Sequence, residues 1–354
     1  MTQSAFLRDL GIKHPIIQAP MAGGPSTPEL VAAVSNAGAL GSLGSAYSTP
    51  EQIAADIKKV RALTGKPFNV NLFAGGYTPE SPVDAAPMLA LLGEIHEALR
   101  LPPPALPPWP RNFFAEQLQI VLEARPAVFS FTFGIPQPAA MARLKAAGIA
   151  TFGTATTVEE GKMLEASGAT AIVAQGAEAG SHRGTFAGPF ENAMVPTLEL
   201  VRSLRAAVST PIIASGGLMD GRDIAQALAR GASAAQLGTA FLTCLEAGTP
   251  EAYRRAILAA RTDMTVITRA FSGRPARGLR NTFISKLEGK EKIILPFPLQ
   301  NALTRPMRTA AAQLGESGYL SLLVGQGVTR ARALAAAELV QRLVAEMQRA
   351  NAAS

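Results

Sequence analysis

Short apolar runs alternate along the chain with longer stretches whose apolar positions fall three and four residues apart. PIIQAP (15–20) precedes TPELVAAVSNAG (27–38). ALGSLG (39–44) precedes TPEQIAADIKKVRALTG (49–65), where Ile53, Ile57, Val60 and Leu63 keep helical spacing. FNVNLF (68–73) is the third run, and AVFSFTFG (127–134) leads into PQPAAMARLKAAG. IATFGTA (149–155) precedes TVEEGKMLEASG, and AIVAQG (171–176) precedes a helical pattern around 196–208. PIIASGG (211–217) precedes DGRDIAQALARG, and AAQLGTAFL (234–242) precedes a further helical stretch. Continuous short apolar runs are what strands buried on both faces require. Thr or Asp opens most of the helical stretches and Gly closes many, in keeping with the chemistry of helix ends. Eight strand–helix units predict an α/β fold closed as a (β/α)8, or TIM, barrel. An open doubly wound sheet alternates too, but no GxGxxG turn follows the first run.

Two stretches break the alternation. Residues 76–120 contain LPPPALPPWP (101–110), which is incompatible with a regular helix or a central strand and reads as a polyproline-like surface excursion. Residues 245–324 are too long for one connection. The chain therefore divides into a barrel built from 1–75, 121–244 and 325–354, and insertions 76–120 and 245–324 that form a cap and substrate region beside its mouth. Leu339, Leu343 and Met347 keep helical spacing within 329–350, the helix expected to close the barrel.

Composition narrows the class. Of 354 residues 48% are hydrophobic but only 6% aromatic, so Ala, Leu, Val and Ile carry the core. The net charge is +7 without a dense Lys/Arg run, which fits a small anionic ligand better than nucleic acid. A single cysteine, Cys244, leaves no intramolecular disulfide and suits a reducing compartment. The opening MTQSAFLRDLG lacks the basic-then-apolar order of a signal peptide, and no apolar run is long enough to span a membrane. A cytoplasmic protein is the expectation.

In such a barrel, function sits on the loops that leave the C-terminal ends of the strands. Ser215–Gly216–Gly217 follows the seventh run, and Gln236, Leu237, Gly238 and Thr239 lie at the eighth. Glycines there let backbone N–H groups approach an anion, at the place where this fold holds phosphate. A phosphorylated cofactor such as FMN is the expected bearer. Asn71 and Gln175 end the third and sixth runs with amides able to donate and accept, as a flavin edge demands; Asn69 lies deeper. Met21 follows the first run, where a thioether or backbone contact to a flat ring is available.

The remaining histidine chemistry lies in QGAEAGSHRG (175–184). His182 sits at the expected mouth, and Gly176, Gly180 and Gly184 are read as allowing close backbone approach to a ligand. A neutral histidine accepts a proton, and a protonated one holds an anion. Glu178 and Arg183 are read as an ion pair across this loop, and His14 and His96 as solvent-facing. No HExxH or CxxC pattern suggests a metal site, and Cys244, in an apolar run, reads as packing.

Together these stretches resemble the nitronate monooxygenase family, formerly 2-nitropropane dioxygenases, and in particular its bacterial class I. PIIQAPMAGG (15–24), NVNLF (69–73), SFTFG (130–134) and the stretch from Gly168 through QGAEAGSHRG resemble its four motifs in order. SGRPARGLRN (272–281), PLQNALT (298–304) and VGQG (324–327) resemble later signatures of the class. The resemblance implies FMN contacts at Met21, Asn71, Gln175, Gly180, Gly217 and Gln236 to Thr239, and a catalytic His182. It implies oxidation of an anionic alkyl nitronate, commonly propionate 3-nitronate, with dioxygen to a carbonyl product and nitrite. Two departures stand out: Ser181 replaces a glycine usual before the histidine, and leucines precede VGQG where a tryptophan is common. The competing reading is an NAD(P)H-dependent FMN reductase, for enoyl thioesters or quinones, on the same barrel. Gln175, where enoyl reductases tend to carry glutamate, tilts the resemblance to the monooxygenase.

Overall fold

A computed structural model describes residues 5–261 and 264–352. The barrel strands are β1 (Ile16–Gln18), β2 (Gly41–Gly44), β3 (Phe68–Phe73), β4 (Val128–Thr132), β5 (Ala150–Ala155) and β6 (Ala171–Gln175). A short strand, β7 (Ser181–His182), intervenes before β8 (Ile212–Ser215) and β9 (Ala234–Leu237) complete the set. They form one parallel sheet of eight in the order β1-β9-β8-β6-β5-β4-β3-β2. A parallel bridge between Ile17 and Leu40 closes it, with Gln18 N–H donating to Leu40 O at 2.9 Å. The chain is thus a (β/α)8 barrel, as its alternation predicts.

Helices begin where the side chains can cap them. Thr27, Thr49, Thr157 and Asp220 each accept from backbone N–H groups of the following turn. The last helix, Ala336–Ala352, packs on Gly221–Ala229 so closely that a Cβ on Gly221 would lie 2.2 Å from Met347 N. Inside the barrel the inward residues change character along the axis. Ile17, Val128, Phe152, Ala171, Ile213 and Ala234 pack with Leu7 and Leu10 of the N-terminal segment, which plugs the floor. Above them come polar groups: Asn69 Nδ2 donates to Ser42 Oγ and Ser130 Oγ, and Asn71 Nδ2 to Ser130 Oγ at 2.9 Å. A floor of hydrocarbon under a polar rim places the chemistry at the C-terminal end.

Helix Phe114–Ala124, which begins inside the stretch 76–120 that sequence assigns to the first insertion, packs against helix Pro50–Leu63 and β3 as barrel helices do. The rest of that insertion, with helix Ala86–Ala98, shares a core with the second insertion. Met88, Leu92 and Ile95 meet Phe271, Phe283, Leu299 and Met307. His96 belongs to this unit and is buried, not solvent-facing; its Nδ1 lies 2.7 Å from Pro102 O and ties down the proline stretch. β10 (Thr265–Thr268) and β11 (Ala276–Leu279) form an antiparallel pair, and β7 joins its edge, with Ala276 opposite His182. The histidine is therefore a residue of the cap sheet as well as of the β6 loop. Among the described residues, no helix is long and apolar enough to cross a membrane.

Candidate active site

A cavity of about 1060 Å3 opens where the strands end beneath the cap. Asn71, Ser130, Gln175, Ser215 and Gln236, all inward-pointing, line its floor. The glycine turns after β8 and β9 line its wall, as do His182, Phe133, Ser272, Tyr47 and Arg308. Met21, Gly180, Gly217, Gly238 and Thr239 also reach the cavity wall. Leu237 does not: strand alternation turns its side chain outward into the helix-facing core, where it is 1% exposed, so only its backbone is near.

The glycines divide into two kinds. Those of the histidine loop are required by packing within the chain, a demand that the sequence reading did not include. A Cβ on Gly176 would lie 2.0 Å from Thr197 Oγ1, and one on Gly180 would lie 2.4 Å from Val324 C. One on Gly184 would lie 2.8 Å from Thr154 Cγ2. Gly238 differs: its φ is not positive, and an added Cβ would meet nothing closer than Ala19 Cβ at 3.5 Å. No clash within the chain demands glycine there, yet it faces the cavity.

The loop that carries His182 is pinned from several sides. Gln175 Nε2 donates to His182 O at 3.0 Å, while Gly184 N–H donates to Gln175 Oε1 at 2.8 Å. Its amide is thus engaged with the loop as well as lining the floor. Arg183 and Glu178 do not form the expected pair. Arg183 is buried and donates to the carbonyls of Gln175, Gly176 and Ala193. Glu178 Oε2 instead accepts from Thr197 N–H and Oγ1–H. Carbonyls near the loop's own strand and a helix start offer each group a local partner, so neither needs the other.

Farther along, buried Glu160 accepts from Thr156 N–H and Oγ1–H, and from Phe186 N–H and Ala187 N–H. It holds the end of the loop to the helix after β5. Glu160→Ala leaves the N–H groups of Thr156, Phe186 and Ala187 without acceptors, and a loss of about 3 kcal/mol in unfolding free energy is expected by denaturant titration. Ser181 adopts φ +70° with an exposed side chain. The left-handed strain of about 1 kcal/mol is partly offset by glycine's freer unfolded chain, so Ser181→Gly is expected to stabilise by about 0.5 kcal/mol in the same titration.

His182 Nε2 lies 2.8 Å from the Oγ of buried Ser272. Phe133 and Phe297 present rings at 6.0 and 6.2 Å, both roughly edge-on. Phe133 itself holds φ +72°, a strained conformation for a bulky side chain, and Arg274 stacks over its ring at 3.8 Å. Arg274 also donates to Thr185 O at 2.7 Å, clamping the loop from the cap side. Burial, reinforced by the charges of Arg274 and Arg308, pushes the His182 pKa down to about 3. The ring is neutral at neutral pH. The unfolded chain, with a value near 6.5, binds a proton as pH falls while the folded chain does not until about 3. Stability contributed by this residue is therefore lost progressively as pH drops through that window. His182→Gln is expected to show a shallower fall in Tm between those pH values than the unsubstituted protein.

Ser272, Arg274, Phe133, Phe297, Tyr47 and Arg308 received no roles from sequence reasoning. Ser272 and Arg274 lie within SGRPARG and Phe133 within SFTFG, so the family signatures were the available signal. Tyr47 and Arg308 lie in none of the quoted motifs. Among the described residues, no His, Cys, Asp and Glu group is arranged to hold a metal ion.

Comparison with known proteins places the whole chain in one family. The family model described as nitronate monooxygenase matches residues 4–346. A nitronate monooxygenase of Pseudomonas aeruginosa is 44% identical over 97% of this chain and 99% of its own. The solved nitroalkane oxidase of Streptomyces ansochromogenes is 40% identical, covers 99% of both chains and superposes with a TM-score of 0.90. FabK of Thermotoga maritima, at 28% identity, covers 100% of this chain and 98% of its own with a TM-score of 0.78. Matched along nearly its whole length by that model and that relative, the chain belongs to the nitronate monooxygenase family of oxidoreductases.

Proposed function

We propose that this protein binds FMN and oxidises alkyl nitronates with dioxygen to a carbonyl product and nitrite, with propionate 3-nitronate as substrate. The observation that carries the reading is one cavity that joins glycine turns at the ends of β8 and β9 to a neutral histidine flanked by arginines. The residues fit a phosphorylated flavin. The open face of Gly238 suits the backbone approach a phosphate needs, and Gly216, Gly217 and Thr239 stand beside it. Asn71, Gln175 and Gln236 would face the ring edge, with Met21 at its side. When bound, FMN supplies the electron acceptor.

The chain's own groups do the rest. Phe73, Phe133 and Phe297, clustered on the cap side, keep water from the reacting carbon. Arg274, clamped beside His182, supplies the positive potential that the nitronate group requires, a task the neutral His182 does not perform at rest. His182, fixed through Ser272, is poised to accept the α-proton of a neutral nitroalkane. The test is nitrite release coupled to oxygen uptake by purified holoprotein given propionate 3-nitronate. Stoichiometric nitrite supports the reading. Rapid NADH or NADPH oxidation with no nitrite would replace it with the reductase.

A further inference from the structure

The cavity wall contains a cation with no anionic partner among the described residues. Arg308 Nη2 donates to the backbone and side-chain oxygens of Asn301, at 2.6 and 3.0 Å, which fixes the guanidinium. Its Nε is buried and makes no hydrogen bond. No carboxylate among the described residues lies within salt-bridge distance, and its electrostatic neighbours are Tyr47 and Arg305. Tyr47 reaches the same cavity from the loop after β2, and its hydroxyl is also buried without a partner. Burial lowers Arg308 to about 10 and raises Tyr47, so at neutral pH the first is charged and the second is a neutral donor. The neighbouring arginines differ: Arg183, whose Nε is also unbonded, and Arg274 donate to loop carbonyls and lie in the field of the Glu160 carboxylate, which Arg308 does not. A charge held largely away from water without a counterion is unfavourable, and an orphaned hydroxyl adds to that. Both deficits lie beside His182 and disappear if a ligand brings an anionic group with acceptor oxygens.

We propose that Arg308 and Tyr47 form a carboxylate subsite that selects nitronates carrying a second anionic group over those with an uncharged tail. This rests on the nitronate reading above. The nitronate end is directed to the His182 side, and the carboxylate accepts from Arg308 and from the Tyr47 hydroxyl. Arg305, exposed at the rim, adds attraction for the dianion.

The experiment compares the holoenzyme with its Arg308→Gln and Tyr47→Phe variants on propionate 3-nitronate and on butyl 1-nitronate, similar in length but without the carboxylate. Loss of a charged hydrogen-bonding partner predicts an about 100-fold fall in kcat/KM for the carboxylated substrate with Arg308→Gln, and about 10-fold with Tyr47→Phe. Butyl 1-nitronate should change less than threefold in either. Independently of turnover, butyrate should raise the Tm of the unsubstituted protein and not that of Arg308→Gln. Equal losses on both nitronates, or no loss on either, overturn the subsite while leaving nitronate oxidation intact. A protein inert to both nitronates but still stabilised by butyrate through Arg308 would keep the subsite and discard the nitronate reading. Should Arg308→Gln fail to fold, Tyr47→Phe decides alone, because it deletes a hydroxyl that has no partner in the chain.

Discussion

His182→Ala is expected to lower kcat/KM for a neutral nitroalkane by about a thousandfold and for the corresponding nitronate by about thirtyfold. The asymmetry follows from what each substrate asks of the ring. A nitroalkane must lose its α-proton, and in the proposed reaction the neutral imidazole held by Ser272 is the base for that step. A nitronate has already lost it and needs only orientation and a hydrogen bond. Because burial and two arginines hold the pKa near 3, the histidine adds no inflection to kcat/KM between about pH 5 and 8. Any limb there belongs to the substrate. Steady-state rates on both substrates across that range check the prediction, and equal losses on the two would remove the base role.

Gly238→Val is expected to yield a folded protein that does not retain FMN. The first added carbon meets only Ala19 Cβ at 3.5 Å, so the fold has room for it. The branched methyls extend into the cavity beside Gly217 and Thr239 and keep the backbone from a phosphate. Losing charge-assisted contacts to a phosphate predicts an affinity at least about 100-fold weaker, read by flavin fluorescence quenching. Gly180→Val, by contrast, collides with Val324 and Gly325 backbone and is expected to lower stability before it affects cofactor. The pair separates a glycine kept open for a ligand from one closed against the chain.

That contrast also marks what a sequence discloses. The barrel was legible because each buried strand carries its own apolar run and four of its helices open on a capping Thr or Asp, both local signals. Asn71, Gln175 and His182 were legible because the fold fixes which end of every strand bears chemistry. The direction of Leu237 follows from two-residue alternation, but a glycine-rich stretch read as one ligand loop obscured it. The glycines at 176, 180 and 184 looked functional, and only distances to Thr197, Val324 and Thr154 show that packing demands glycine there as well. His96 and the Arg308–Tyr47 pair were not legible for another reason. Their surroundings are assembled from segments far apart in the chain, with helix Ala86–Ala98 packed on residues between 270 and 307. No local pattern encodes such meetings. A buried cation lacking an acid is a property of the assembled cap alone.

The measurement that tests the central claim most directly is an anaerobic titration of the flavin-loaded protein, followed by flavin absorbance. Mixed with propionate 3-nitronate, the absorbance should bleach as fast as turnover, while NADH and NADPH leave it essentially unchanged. Rapid, complete bleaching by a nicotinamide, with no response to the nitronate, would contradict the account and turn the same barrel and histidine loop into those of a reductase.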